Sequence, residues 1–259
     1  MRFLFLGDIV GKPGYSAVRT ELPTIRAKLN LDAVVVNAEN AADGSGLTPR
    51  QYRRLLESGV DVITMGDHVY RQKDLIETLK TSDQIVKPAN FPKNSPGRSW
   101  SIVETPAGRI AVISLLGRLY MRPVDCLFNA VDQALSEIGD QADVILVDIH
   151  AEATGDKQLI GRYLDGRVTA VIGTHTHVPT ADSQILPGGT AFQCDVGMCG
   201  PYESILGRSI SRVLESSTSF VPDTFYVATK DVRLSGAIVE ADQQGRAITI
   251  ERFEKKINS

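Results

Sequence analysis

Four histidines occur in this chain of 259 residues, and each one follows an apolar run: His68 after VITMG, His150 after ILVDI, His175 and His177 after AVIGT. Carboxylates and an amide do the same. Asp8 follows FLFLG, Glu39 and Asn40 follow AVVVN, and Asp67 stands beside His68. A single short polar residue after a strand is usually a turn or a cap. Turn chemistry alone does not account for four histidines and three carboxylates at successive strand ends.

Imidazole nitrogens and carboxylate oxygens together suit manganese, iron or zinc, whereas all-oxygen sites suit magnesium or calcium. His175 and His177 are two residues apart and would share one side if the segment is extended. With His150 they offer most of one ion's ligands, and Asp8, Glu39 and Asn40 offer oxygens for a second. A carboxylate can bridge two ions about 3.5–4 Å apart, an arrangement that polarises a phosphoryl group and generates hydroxide from water.

The elements that must position these residues are legible as continuous apolar runs at 3–6, 33–36, 60–65, 110–116, 143–149 and 168–172. Such runs suit strands buried on both faces. Helical patterns lie between several of them. TPRQYRRLLESG places Thr48 as N-cap, Pro49 at the first helical position, Gln51 completing a capping box and Gly59 as the stop. RQKDLIETLK repeats the scheme, as does DCLFNAVDQALSEIG with Asp125 as cap and Gly139 as terminator. SQILPGGTAFQC, WSIVETPAGRIAVISL and the segment turning near Gly245 read as hairpins. This mixture implies an α/β protein with two packed sheets flanked by helices, and no linker divides residues 1–259, so one domain is expected.

Composition limits the alternatives. A 42% hydrophobic content supports a full core, and a formal charge of -3 from 28 basic and 31 acidic residues shows no basic stripe for a nucleic-acid backbone. Three cysteines without CxxC spacing and no leader pattern suggest a reduced, cytoplasmic protein. No apolar run approaches the roughly 20 residues that cross a bilayer. GDIVGKP is one residue short of a phosphate loop and has Pro13 in place of the metal-binding hydroxyl. The chain also lacks the HExxH and GxSxG signatures. HTH occurs in amidohydrolases after the first strand of a barrel, but here it comes at residue 175.

GDIVGKPG, NAENAADGSGLT, GDHVY, DIHAEAT and GTHTHVPTAD, in that order, resemble the YmdB-like branch of calcineurin-type metallophosphoesterases. The resemblance covers nearly the whole chain. It implies a four-layer α/β/β/α sandwich of two mixed sheets and a di-metal phosphodiesterase, with cyclic nucleotides such as 2′,3′-cAMP as substrates. Carried over by residue, Asp8, Asn40 and His177 would hold one ion, Asp67, His150 and His175 the other, and Glu39 would bridge them. The expected ions are transition metals, iron ahead of manganese or zinc. The expected reaction is in-line attack by a metal-bridging hydroxide, with His68 as the general acid on the departing alkoxide. The branch usually reads Gly-Asn-His where this chain has Gly66-Asp67-His68, a change that adds a negative charge to the site.

Other expectations concern the surroundings. Asp43 or Asp182 would orient the His68 ring, DGSGLTP would shape the pocket rim, and Lys12 and Arg118 are cations that could meet an anionic substrate. A phosphomonoesterase or nucleotidase would use the same ions, and a regulatory scaffold binding RNA or a partner enzyme would keep the same core without needing His68. Assembly into a homo-oligomer is compatible with the sequence and not fixed by it.

Overall fold

FLFL and AVVV become the neighbouring parallel strands β1 (Arg2–Leu6) and β3 (Ala33–Asn37). The two-residue period of a strand divides each run between two cores. Phe3, Phe5, Ala33 and Val35 turn one way, towards Ile110, Val112, Leu146 and Ile172. Leu4, Leu6, Val34 and Val36 turn the other way, towards Val18, Leu22, Leu55 and Leu75. Both faces are buried, which is why neither run alternates with polar residues.

The structure is a computed structural model that describes residues 1–257, so the last two residues of the expected 1–259 unit lie outside it. After β1 come β2 (Asp8–Ile9) and α1 (Gly11–Leu29); after β3 come α2 (Pro49–Glu57), β4 (Val62–Thr64), α3 (Leu75–Thr81) and β5 (Ile85–Val86). The middle of the chain supplies β6 (Trp100–Thr105), β7 (Gly108–Leu116), α4 (Leu127–Ile138), β8 (Val144–His150), α5 (Thr154–Tyr163) and β9 (Ala170–Thr174). The rest forms β10 (Gln184–Ile185), β11 (Ala191–Gln193), β12 (Met198–Pro201), α6 (Ile210–Ser219), β13 (Val232–Ala241) and β14 (Ala247–Lys256).

One sheet has eight strands in the order β2-β12-β13-β1-β3-β4-β5, with β14 paired to β13, and the other has six in the order β10-β11-β9-β8-β7-β6. Helices α1 to α3 cover the outer face of the first sheet, through Val18, Leu55 and Leu75. Helices α4 and α5 cover the second, where Val131 and Ile160 pack on Ile113 and Val147. The expected α/β/β/α layering is present. No helix among the described residues is long and apolar enough to cross a membrane.

Local signals are realised in part. The capping box at α2 forms as written: Gln51 N donates to Thr48 Oγ1 at 3.2 Å, and Thr48 N donates to Gln51 Oε1 at 3.0 Å. All three hairpins form, as β6–β7, β10–β11 and β13–β14. Gly139 ends α4 at φ 50. The cap of α4 is a correction, because Cys126 and not Asp125 precedes the first turn and no side chain bonds it. Asp125 is held elsewhere through its backbone, its N donating to Asn90 O at 2.9 Å and its O accepting from Asn90 Nδ2 at 3.2 Å. Helix α3 begins at Leu75, later than RQKDLIETLK suggests, because the preceding residues form turns.

Candidate metal centre

The parallel strands β1, β3 and β4 of one sheet and β8 and β9 of the other end at the same rim. Ligands gather beyond the carboxyl ends of such strands. Asp8 arrives just after β1, Glu39 and Asn40 after β3, and Asp67 and His68 after β4. His150 is the last residue of β8, and His175 and His177 follow β9. Every residue singled out from the strand ends therefore comes to one place.

The geometry divides them into two groups around Glu39. Glu39, Asp67, His150 and His175 each offer a ligand atom, all within 4.8 Å of one another. His150 Nε2 lies 3.1 Å from Glu39 Oε1 and 3.4 Å from Asp67 Oδ1, and His175 Nδ1 lies 3.0 Å from His150 Nε2. On the other side, Asn40 Nδ2 is 3.1 Å from Asp8 Oδ1 and 3.3 Å from His177 Nε2. His175 N donates to Asp8 Oδ2 at 3.0 Å and joins the groups.

This donor set fits transition-metal ions. Asp67 Oδ1 is buried with no hydrogen-bond partner, an orphan that a cation would satisfy. The three imidazoles of the two groups also have a partner on their other nitrogen, leaving one lone pair directed inward. His177 Nδ1 is 3.0 Å from Leu206 O, His150 Nδ1 is 2.8 Å from Thr174 Oγ1, and His175 Nε2 is 3.2 Å from Glu152 Oε2. Gly66 leaves the room required, since a Cβ there would meet the His150 imidazole and lie 2.5 Å from Glu39 Oε2.

The charges are strongly coupled. Burial pushes the Asp8 carboxyl up, but the hydrogen bond and charge of His177 outweigh it and hold Asp8 well below the usual range. Asp67 is likewise raised by burial and then held low by His150, His68 and His175. Burial would lower His150, yet Glu39, Asp67 and Asp8 drive it well above its ordinary value. His175 goes down, through burial and the neighbouring charge of His150. Backbone strain is concentrated here too, with φ 96 at His175 and φ 65 at His177.

A family model described as YmdB-like protein matches residues 4–253. The chain belongs to the YmdB-like family. A 2′,3′-cyclic-nucleotide 2′-phosphodiesterase of Bacillus subtilis strain 168 is 42% identical over 254 residues, covering 98% of this chain and 96% of that protein. A hypothetical protein from Thermus thermophilus superposes with a TM-score of 0.93 at 39% identity, covering 99% of each chain. A novel phosphatase from Mycoplasma pneumoniae gives a TM-score of 0.92 at 32% identity, covering 99% of this chain and 93% of that one.

Several expectations about the surroundings of this YmdB-like site need correction. His68 is oriented by neither Asp43 nor Asp182: its Nδ1 lies 2.8 Å from Asn40 Oδ1, and its N donates to Glu39 Oε2 at 3.0 Å. Asp182 instead accepts from Thr180 Oγ1 and Cys194 N. Arg118 lines a different pocket, beside Met121 and Phe128, whereas Lys12 is exposed in the first turn of α1, two residues after Val10 of the site pocket. DGSGLTP does reach the rim, where Gly44 lines a pocket of about 230 Å³ with Asn40, His68, Glu152 and His177.

Sequence reasoning missed four supporting groups. Glu152 holds His175, as above. Asp148, fully buried, accepts from Thr174 Oγ1 at 2.7 Å and Asn37 Nδ2 at 3.1 Å; burial raises its carboxyl to about 6 against the partial offset of His150 and these bonds. Lys157 and Asp195 form a buried ion pair at 2.7 Å. Asp195 Oδ2 also accepts from Thr176 N at 3.1 Å and Thr176 Oγ1 at 2.8 Å, and so fixes the residue between His175 and His177. Asp195 follows β11 and carries the same strand-end signal as the other carboxylates; Lys157, within α5, has no such signal.

Proposed function

We propose that this protein is a metal-dependent phosphodiesterase that opens 2′,3′-cyclic nucleotides at the 2′ bond. One observation carries the reading: the rim brings three carboxylates, an amide and four imidazoles together in a chain that is 42% identical to the Bacillus subtilis enzyme. Asp8 and His177 would hold one ion, joined by the Asn40 amide oxygen once that amide is turned over, since its Nδ2 faces both residues here; Asp67, His150 and His175 would hold the other, with Glu39 between them. The mixed nitrogen and oxygen donors suit iron, manganese and zinc alike, and iron is the ion placed first. When bound, such ions polarise the phosphoryl group and make water acidic enough to attack it.

The chain's own residues supply the rest. Water adds across the P–O2′ bond, oxygen to phosphorus and proton to O2′, leaving a 3′-phosphomonoester. His68 sits in the pocket wall beside the ion ligands and gives that proton through Nε2. Asn40 and the Glu39 carboxylate fix His68 by its ring nitrogen and its backbone N. Lys157, Asp195 and Thr176 hold the His175–His177 turn against its backbone strain. Three unpaired cysteines support a reducing, cytoplasmic setting.

Metal-loaded protein is to be assayed on bis-p-nitrophenyl phosphate, p-nitrophenyl phosphate and 2′,3′-cAMP. Preferential turnover of the two diesters is expected. A monoester preference would point to a nucleotidase, and no turnover with iron, manganese or zinc would leave a non-catalytic scaffold.

A further inference from the structure

Beside the ligand cluster, the chain makes a tight turn at residues 205–208. Ile205 and Arg208 exchange both backbone hydrogen bonds at 2.9 Å, and the two residues between them have positive φ, 51 at Leu206 and 90 at Gly207. That pattern is a type I′ turn, normally reserved for Asn and Gly. Leucine in it is strained. The turn puts two groups at the site: the Leu206 carbonyl on His177 Nδ1 at 3.0 Å, and the Arg208 side chain in the wall of the pocket that also contains His68, Glu39, Asn40, His175 and His177.

Arg208 is anchored without being neutralised. Its Nη1 donates to Asp43 O and Phe225 O, each at 3.1 Å, and its Nη2 donates to Gly44 O at 2.6 Å. All three acceptors are backbone carbonyls, and Arg208 forms no salt bridge among the described residues. A guanidinium has five N–H donors and remains protonated in proteins. Residues 43 and 44 sit at the Nη1/Nη2 end, a Cβ on Gly44 falling 2.6 Å from each nitrogen, which leaves Nε–H and the neighbouring Nη2–H as a fork on the other edge. Such a fork matches two oxygens of a phosphate. The DGSG loop is shaped for it: Gly44 has φ 83, and a Cβ there would lie 2.5 Å from the guanidinium carbon.

We infer that Arg208 is a substrate-binding residue, whose free edge takes the non-bridging oxygens of the phosphoryl group held over the metal centre. The inference rests on the phosphoesterase reading above and adds a cation drawn from a turn far away in sequence. It assigns three parts of the chain a shared task. The 205–208 turn aims the side chain, Asp43 and Gly44 grip it, and the glycine leaves it room.

The test uses inorganic phosphate as the probe, with the metal-loaded protein. Phosphate binding is measured by calorimetry, which needs no turnover, and as competitive inhibition of diester hydrolysis. Arg208→Gln is expected to weaken phosphate about tenfold or more, the usual scale for losing a charge-assisted pair. Its KM for the diester should rise while the bound metal stays at the wild-type level. Arg208→Lys, which keeps charge but not the fork, should fall in between, and Gly44→Ala should weaken phosphate by crowding the guanidinium. If Arg208 only clamps the 43–44 loop, Arg208→Gln will lower metal content or melting temperature and leave phosphate affinity within about twofold of wild type, which overturns the inference. Wild-type protein that binds phosphate through Arg208 yet hydrolyses no ester would instead overturn the catalytic reading alone.

Discussion

His68 Nδ1 lies 2.8 Å from Asn40 Oδ1, while the amide nitrogen of the same Asn40 lies 3.1 Å from Asp8 Oδ1. One side chain thus joins the proposed proton donor to the proposed ligand set. A ring fixed at Nδ1 leaves Nε2 without a hydrogen bond, 3.7 Å from Asp67 Oδ2, and so able to deliver a proton. His68→Ala should lower kcat on 2′,3′-cAMP by about 10²–10⁴-fold, the usual range for a general acid. On bis-p-nitrophenyl phosphate, whose leaving group needs no proton, the loss should be much smaller. Equal losses on both substrates would argue against the role.

Asp67 contributes a carboxylate whose Oδ1 has no protein partner. Its charge should strengthen ion binding, because a carboxylate attracts a cation more strongly than a neutral amide of the same shape. Asp67→Asn is therefore expected to release metal at a lower chelator concentration than wild type. The melting temperature of the metal-free protein should fall, since Asp67→Asn removes the negative charge that the imidazoles of His150, His68 and His175 face. Competition against a fluorescent chelator measures the first, and differential scanning calorimetry the second.

The buried pair of Lys157 and Asp195 separates stability from positioning. Lys157→Met leaves Asp195 charged and unpaired inside the protein, and removing one partner of such a pair costs ~3–5 kcal/mol. Denaturant unfolding should show that loss. Replacing both, as Lys157→Met with Asp195→Leu, should recover only part of the stability, because the unpaired charge is gone but Thr176 N and the buried Gly197 N lose their acceptor. Metal affinity should remain weak in the double variant, because Thr176 has lost the acceptor that holds the turn between His175 and His177.

The cysteines give a check on the fold. Burial pushes the thiols of Cys194 and Cys199 up to about 12, so neither forms thiolate near pH 8, whereas Cys126 is partly exposed. Ellman's reagent should titrate one thiol in the native protein at pH 8 and three in denaturant. Rapid reaction of more than one native thiol would contradict the packing of β11 and β12.

Most of the ligand cluster was legible because strand ends are local. A run such as VITMG announces its own edge, and the polar residue after it must lie at the rim wherever the strand goes. Groups that act across the fold were not legible. Arg208 reaches Gly44 over 164 positions of sequence, and Glu152 meets His175 only because β8 and β9 are adjacent. Helix α1 was hidden for another reason. Pro13 and Pro23 interrupt its pattern, yet the first lies in its opening turn and the second is tolerated inside, with Val18, Leu22 and Ile25 still buried on one face. Asp125 failed as a cap because Asn90, distant in sequence, already held its backbone.

The central claim, that this rim hydrolyses cyclic phosphodiesters through bound metal, is tested most directly by titrating metal against activity. Protein stripped by chelation is to be reloaded with iron or manganese in steps while 2′,3′-cAMP turnover and bound metal are measured on the same samples. Activity should be absent in the stripped protein and should rise with occupancy to a plateau at about two ions per chain, with a 3′-monophosphate as product. Undiminished turnover after complete stripping, or none at full occupancy, would contradict the account.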